Sequence, residues 1–390
     1  MTPTDITFII LFSLPAYVAM MCGLYLARMA YLKENPFGRR PFVMTIVLYF
    51  TSMLVWFSEI LYYVLPDVYV TLNAFIFLTC LLIYVLSYRF VFEITKVNPS
   101  ETFSFVHFLT PLISFVIMLI WSFSIPGDVQ LSLTGSGGVT VEGYKWFSMF
   151  FDSRIPLMLC MNVVYSALGL CRIVRYRKVV VDYSADEFRG ALTWLYQYIF
   201  TMLAFFAGIG SIFIISKMMP VNAWIIIIPS MIAVFKYVIL LHNILLENFV
   251  IIKMDWADSD ETEHVPDEAG KSIENNGLLS GNEKTTLSIN HLCSYMQKKK
   301  PYLDPKFKIT DMSRDLNTNR TYLSSIINRT YGVNFCRFIN RYRLQELQQI
   351  KKMPANKNLS EEELASKAGF SDFRGYLRVK FREEINSFDK

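Results

Sequence analysis

Arg320, Ser324 and Asn328 recur at every fourth residue near the carboxyl end of this chain. That interval puts them on one face of a helix, and all three side chains can hydrogen-bond base edges or phosphate oxygens. Asn319 and Thr321 stand at the head of the same stretch, and two more basic pairs follow at the same interval, Arg337 with Arg341 and Arg374 with Arg378. Ionisable residues of another kind, Glu59, Arg154 and Lys236, interrupt long apolar runs. A charge at such a place is costly and usually faces a partner or a water-filled cavity. An ion pair that fixes helix packing, a polar floor for a ligand and a transport or proton pathway are the three readings of these residues. The chain carries no HExxH, no Gly-rich phosphate loop and no GxSxG. Its four histidines are scattered and its six cysteines include no CxxC pair, so no metal site, cofactor or disulfide framework is expected. The chemistry on offer is binding, and no enzyme is expected.

The elements that must position the basic set can be read from apolar spacing and helix punctuation. Ile309, Met312 and Leu316 give a short helix its apolar side, and Asn317-Thr318-Asn319 makes a turn and offers an N-cap. A second helix runs from about Arg320 to Tyr331 and ends at Gly332, with Leu323, Ile326 and Ile327 facing inward. Asn334 caps a longer helix through about Lys352, whose outward face is expected to hold Arg337, Arg341 and Arg343. Ser360 and Glu363 form a capping box for another short helix; Gly369 turns the chain, and Asp372 caps a last helix. Two units of short helix, turn and longer helix are what a major-groove reader needs, with the first residues of each second helix meeting the bases. Arg320 and Asn328 are the expected base contacts; Arg337, Arg341 and Lys308 are expected on the phosphate backbone.

The rest of the chain is written for another solvent. Of its 390 residues 53% are hydrophobic, and a bilayer span needs about 20 predominantly apolar residues. Stretches near 6–30, 42–65, 68–92, 103–125, 149–171, 191–216 and 222–246 qualify. The first lacks the basic flank of a cleaved leader and reads as a retained span. Connections after the first, third and fifth spans hold ten Lys/Arg, and the alternate ones hold two, Lys145 and Lys217. Lys and Arg prefer the cytoplasmic side, so the amino terminus is expected outside and the carboxyl end inside. The outer connection from Ile125 to Trp146 is read as a flexible loop or a hairpin lid. Net charge is +2 over 1–252, −6 over 253–284 and +9 over 285–390. The expected domains are therefore a seven-span bundle over 1–250, an acidic flexible linker over 251–284 and a basic double helix-turn-helix over 285–390. The fold class is all-α, and the seventh span is read as the tail's link to the bundle.

Lys300-Pro-Tyr-Leu-Asp-Pro, Asn319-Arg-Thr-Tyr-Leu-Ser, Gly332-Val-Asn-Phe, Phe338-Ile-Asn-Arg-Tyr-Arg and Ala368-Gly-Phe-Ser, in that order, closely resemble the DNA-binding domain of AraC/XylS-type regulators. The resemblance covers about 290–385. Joined to seven spans, the chain resembles membrane-embedded AraC-type regulators. It departs where the family has a Phe-Lys pair, since the order here is Lys380-Phe381; Gly375 weakens that helix, and the closing Gly-x-Thr/Ser-Pro is absent. The resemblance implies a transcription regulator of the bacterial inner membrane. Its expected partners are double-stranded promoter DNA, the lipid bilayer, RNA polymerase, a second copy of itself and an unidentified small-molecule or envelope signal. A transporter or membrane enzyme whose tail reports its state to DNA, and a passive anchor for a regulator, are the alternative readings.

Overall fold

The computed structural model describes residues 3–32, 39–98, 100–135, 143–216, 223–252 and 289–388. The linker from 253 to 284 and the glycine-rich stretch from 136 to 142 lie outside them. Every named element among the described residues is a helix, and the one extended pairing is an isolated antiparallel bridge between Ser184 and Lys308.

Seven helical segments are long and apolar enough to cross a membrane: Thr7–Leu32, Arg40–Val64, Asn73–Ile94, Phe105–Ser124, Lys145–Val180, Glu187–Gly208 and Ile227–Leu245. They follow the seven apolar runs of the sequence, because a run of this length can satisfy its backbone in hydrocarbon only as a helix. The fifth is broken at Ser153, between Asp152 and Arg154, where the polar residues cluster. Small residues let these helices approach closely. A Cβ at Gly23 would lie 3.2 Å from that of Tyr49, and one at Gly169 would lie 3.1 Å from the Ile199 Cδ1. Polar side chains then join helix to helix. The Tyr49 hydroxyl donates to the Tyr237 carbonyl at 2.7 Å, Trp56 Nε1 to the Tyr237 hydroxyl at 3.1 Å, and Asn162 Nδ2 to the Met202 carbonyl at 3.1 Å.

The described residues from 289 onward form six α-helices: α1 Ile289–Lys299, α2 Ile309–Asp315, α3 Arg320–Tyr331, α4 Phe335–Lys352, α5 Glu361–Lys367 and α6 Phe373–Phe388. Their boundaries follow the expected punctuation. Asn319 Oδ1 accepts from Thr321 N at the start of α3, and Asn334 Oδ1 accepts from Arg337 N at the start of α4. Ser360 and Glu363 form the capping box of α5, and Gly332 ends α3 with a φ of 65°. Gly369 turns α5 into α6 with a φ of 92°; a Cβ there would lie 2.3 Å from the Tyr302 carbonyl oxygen. Leu364, Ala365 and Ala368 form one core with Tyr376 and Val379 of α6 and Leu347 and Ile350 of α4.

Two findings revise the sequence expectations. Arg343, expected on the outward face of α4, is 2% exposed. And the chain divides into two compact units whose boundary is not at the linker alone. The second unit takes in Val97–Ser100 and Arg175–Ala191 together with the described residues from Ile252 onward. The connection between the fifth and sixth spans is therefore part of the carboxyl-terminal domain, and the seventh span is not its only covalent link to the bundle.

Candidate nucleic-acid interface

Two short helices are each followed by a turn and a longer helix, α2 by α3 and α5 by α6. In α3, Leu323 and Ile327 are fully buried, which turns Thr321 and Asn328 to solvent and leaves Arg320 and Ser324 half-buried. Asn319 is also half-buried, and its side chain is engaged as the helix cap. In α6, Tyr376 and Val379 point to the core while Arg374, Arg378 and Phe381 are exposed on the opposite side. Asp372 Oδ2 accepts from Gly375 N at 3.1 Å and caps the helix as its sequence position predicts.

Other basic residues have protein partners instead. Arg337 and Arg341 of α4 share the carboxylate of Glu383, at 2.7 and 3.3 Å, and so tie α4 to α6. Lys308 occupies the N-cap position of α2, its backbone N donating to Asp311 Oδ2 at 3.1 Å, and its Nζ stands 5.8 Å from the Tyr183 ring centroid. Lys380 pairs with Glu361 at 2.8 Å and joins α6 to α5; this bond raises the lysine's pKa and lowers that of the carboxylate. Partly exposed pairs of this kind contribute roughly 0.2–1 kcal/mol each, enough to fix helix positions and little enough for phosphates to compete.

The connection after the fifth span supplies the parts that sequence reasoning missed. A helix leaves its first N–H groups without intrahelical partners, and at α4 this segment satisfies two of them. Val181 O accepts from Cys336 N at 2.9 Å, and the Asp182 carboxylate accepts from Phe335 N. The Tyr183 carbonyl accepts from Ile309 N at 3.0 Å at the start of α2, and Ala185 N donates to Phe307 O at 3.1 Å. Tyr183, Ser184, Ala185 and Asp186 are all buried. Burial raises the Asp182 pKa; the Phe335 amide and the charge of Arg320 pull it partly back. The segment goes on to α6, where Glu187 pairs with Arg382 and holds that guanidinium's pKa above its usual value. The Arg378 guanidinium lies 5.9 Å from the Phe188 ring centroid. The only signals for these contacts were the residue types themselves, since Asp182 and Glu187 lie in a loop whose arginines and lysine speak for membrane orientation.

Within the bundle, the three interrupting charges do not form one cluster. Arg154 donates from Nη1 to Asn73 Oδ1 at 2.8 Å and from Nε to the Phe151 carbonyl at 3.0 Å. Glu59 is half-buried and feels the charge of Arg154, whereas Lys236 is buried beside the Tyr237 ring, 4.8 Å from its centroid. Arg172 makes the close ion pair, with Glu101 at 2.7 Å. A separate small cavity of about 10 Å³ between Tyr84, Ser87, Asn162, Tyr165, Ser166 and Tyr198 has room for about one water. Among the described residues, no group of three or more His, Cys, Asp or Glu side chains could hold a metal ion.

The chain matches no family model, no curated protein and no solved structure.

Proposed function

We propose that this is a membrane-anchored, one-component transcription regulator that binds promoter DNA through its carboxyl-terminal double helix-turn-helix. The observation that carries the reading is the pairing of two short-helix, turn and longer-helix units in a segment of net charge +9. Each second helix turns polar or basic residues to solvent: Thr321 in the first turn of α3 and Asn328 two turns on, Arg374 and Arg378 in the first two turns of α6. A helix of this kind enters the major groove and reads bases with its amino-terminal residues, and surrounding Lys and Arg supply the salt-dependent phosphate attraction. The resemblance to AraC/XylS-type domains supports the same reading. Two units per chain fit two major-groove sites about one helical turn, or about 10 bp, apart.

The seven apolar helices make this a multi-pass membrane protein. The Lys/Arg asymmetry supports an inner-membrane topology with the amino terminus outside and the reading domain in the cytoplasm, where DNA and RNA polymerase are reached. The bundle is then the sensor, and a signal acts by biasing how its helices pack.

Mapping DNA occupancy of the full-length protein in cells tests this. Wild type is expected at discrete promoter sites. In the Arg320→Ala variant those sites should weaken about 5- to 150-fold, the cost of roughly 1–3 kcal/mol for one lost base contact. Protein of normal abundance with no discrete sites in wild type would overturn the regulator reading and favour a transporter or membrane enzyme with a basic tail.

A further inference from the structure

We propose that Glu187 and Phe188, at the amino-terminal tip of the sixth candidate span Glu187–Gly208, mask the second reading helix, so that this tip and DNA compete for one flank of α6. The proposal rests on the DNA-binding reading given above and deepens it into a means of control.

The masking contact is specific. Gly375 has no side chain, and a Cβ built there would lie 3.9 Å from the Cβ of Phe188, in ordinary van der Waals contact. The phenylalanine therefore lies directly against the α6 backbone. Arg378, one turn further on and exposed on its other side, stands 5.9 Å from the ring centroid. Arg382, a turn beyond, is paired with the Glu187 carboxylate. Gly375, Arg378 and Arg382 recur at intervals of three and four and so form a single flank of the helix. That flank adjoins the outward face carrying Arg374 and Phe381, and lies away from the core side formed by Tyr376 and Val379.

Groove dimensions make the competition steric as well as electrostatic. A helix with its side chains is about 10–12 Å across, and the major groove of B-DNA is about 12 Å wide. A helix seated in the groove has walls against both flanks, leaving no room for a phenylalanine ring on one of them. Glu187 adds a negative charge on the arginine that would otherwise meet a phosphate. Gly375 acquires a purpose here: it departs from a good helix former at the position where the ring rests. The residues just before the tip, Val181 to Ala185, bond to the start of α4, the start of α2 and Phe307. Glu187 and Phe188 open the sixth candidate span, so a signal that moves that span acts on the tip without passing through the linker.

The distance between the two Cβ positions falls within the range that a disulfide spans, roughly 3.5–4.5 Å. The test is the full-length protein carrying both Phe188→Cys and Gly375→Cys, in lipid nanodiscs, with each single variant treated alike. The probe is a duplex recovered from a random-sequence pool by wild-type protein. Oxidation is expected to cross-link the pair and weaken binding at least 10-fold, and reductant to restore it. In the otherwise native protein, Phe188→Ala is expected to tighten binding about 5-fold. Equal binding by oxidised and reduced forms, failure of the pair to cross-link, or a Phe188→Ala variant no tighter than wild type would each overturn the masking. A wild-type protein that recovers no duplex from the pool overturns the DNA-binding reading instead.

Discussion

The tail from 285 to 390, produced without the segment 175–191, should be markedly less stable than the same tail fused to that segment through a flexible Gly/Ser linker. Removing the segment takes away the carbonyls that accept from Cys336 N and Ile309 N and the amide that donates to Phe307 O. It also takes away the Ala185 carbonyl that accepts from Arg343 Nη1, together with the buried ring of Tyr183. Hydrogen bonds contribute about 0.5–1.5 kcal/mol each, with more lost wherever a buried partner is left unpaired. Burying a large side chain contributes about 1.5–3 kcal/mol. An expected difference on the order of 4 kcal/mol follows, against a domain stability of roughly 5–15 kcal/mol. Urea unfolding of the two proteins measures it directly. Midpoints that coincide would mean that the segment only rests on the domain. That result would also revive the passive-anchor alternative, in which the tail works alone.

The dependence on 175–191 explains which parts of the architecture were legible in the sequence. The seven spans need only composition and length, and each apolar run became helical, most with boundaries close to those expected; the fifth is broken at Ser153 and runs on to Val180 instead of ending near 171. The tail helices were legible because their ends are local: Asn319, Asn334, Ser360, Asp372 and Gly332 each act within a few residues of themselves. What joins Val181 to Cys336 or Ala185 to Arg343 acts across more than 150 residues, and no periodicity reports it. The arginines and lysine of that loop also have a sufficient local meaning, since they fit the orientation rule, and nothing in Asp182 or Glu187 separates a partner of α4 or α6 from an ordinary loop carboxylate. Gly375 was legible as a weak point in a helix; its reason is a ring supplied from elsewhere in the chain. Glu59 and Lys236 came out differently: either Arg154 or Lys236 could meet the carboxylate by charge alone, and the packing gives Glu59 the field of Arg154 and Lys236 the ring of Tyr237.

Arg343 is the residue on which sequence and structure part most sharply, and replacing it separates the two readings. Its charge suggested the outward face of α4, but it follows Ile339 by four residues, and Ile339 is fully buried. The helical period wins because the burial is fully compensated. Arg343 Nε donates to the Tyr302 carbonyl at 2.8 Å, Nη1 to the Ala185 carbonyl at 2.8 Å and to Asn340 Oδ1 at 3.1 Å, and Nη2 to the Asp304 carbonyl at 2.9 Å. The planar fork meets three stretches of chain at once, which a lysine's single ammonium cannot do. Burial lowers its pKa to about 10, and nearby Cys336, Asp186 and Asp304 oppose that shift, so the guanidinium is still charged at pH 7. A lowered pKa on a base means that the charged form is disfavoured by folding. Its cost is present below about pH 10 and is relieved above it, so the hydrogen bonds carry the stabilisation. Arg343→Met keeps much of the volume and leaves three carbonyls and the Asn340 amide oxygen without this donor. Breaking a buried charged network from one side costs about 3–5 kcal/mol, which for a tail of this size lowers the melting temperature on the order of 15–20 °C. Arg343→Lys should recover only part of the loss. An outward, phosphate-binding Arg343 predicts the reverse pattern, an unchanged melting temperature with weaker, less salt-dependent DNA binding. Melting curves and a salt titration of DNA binding on the same variants decide between the two.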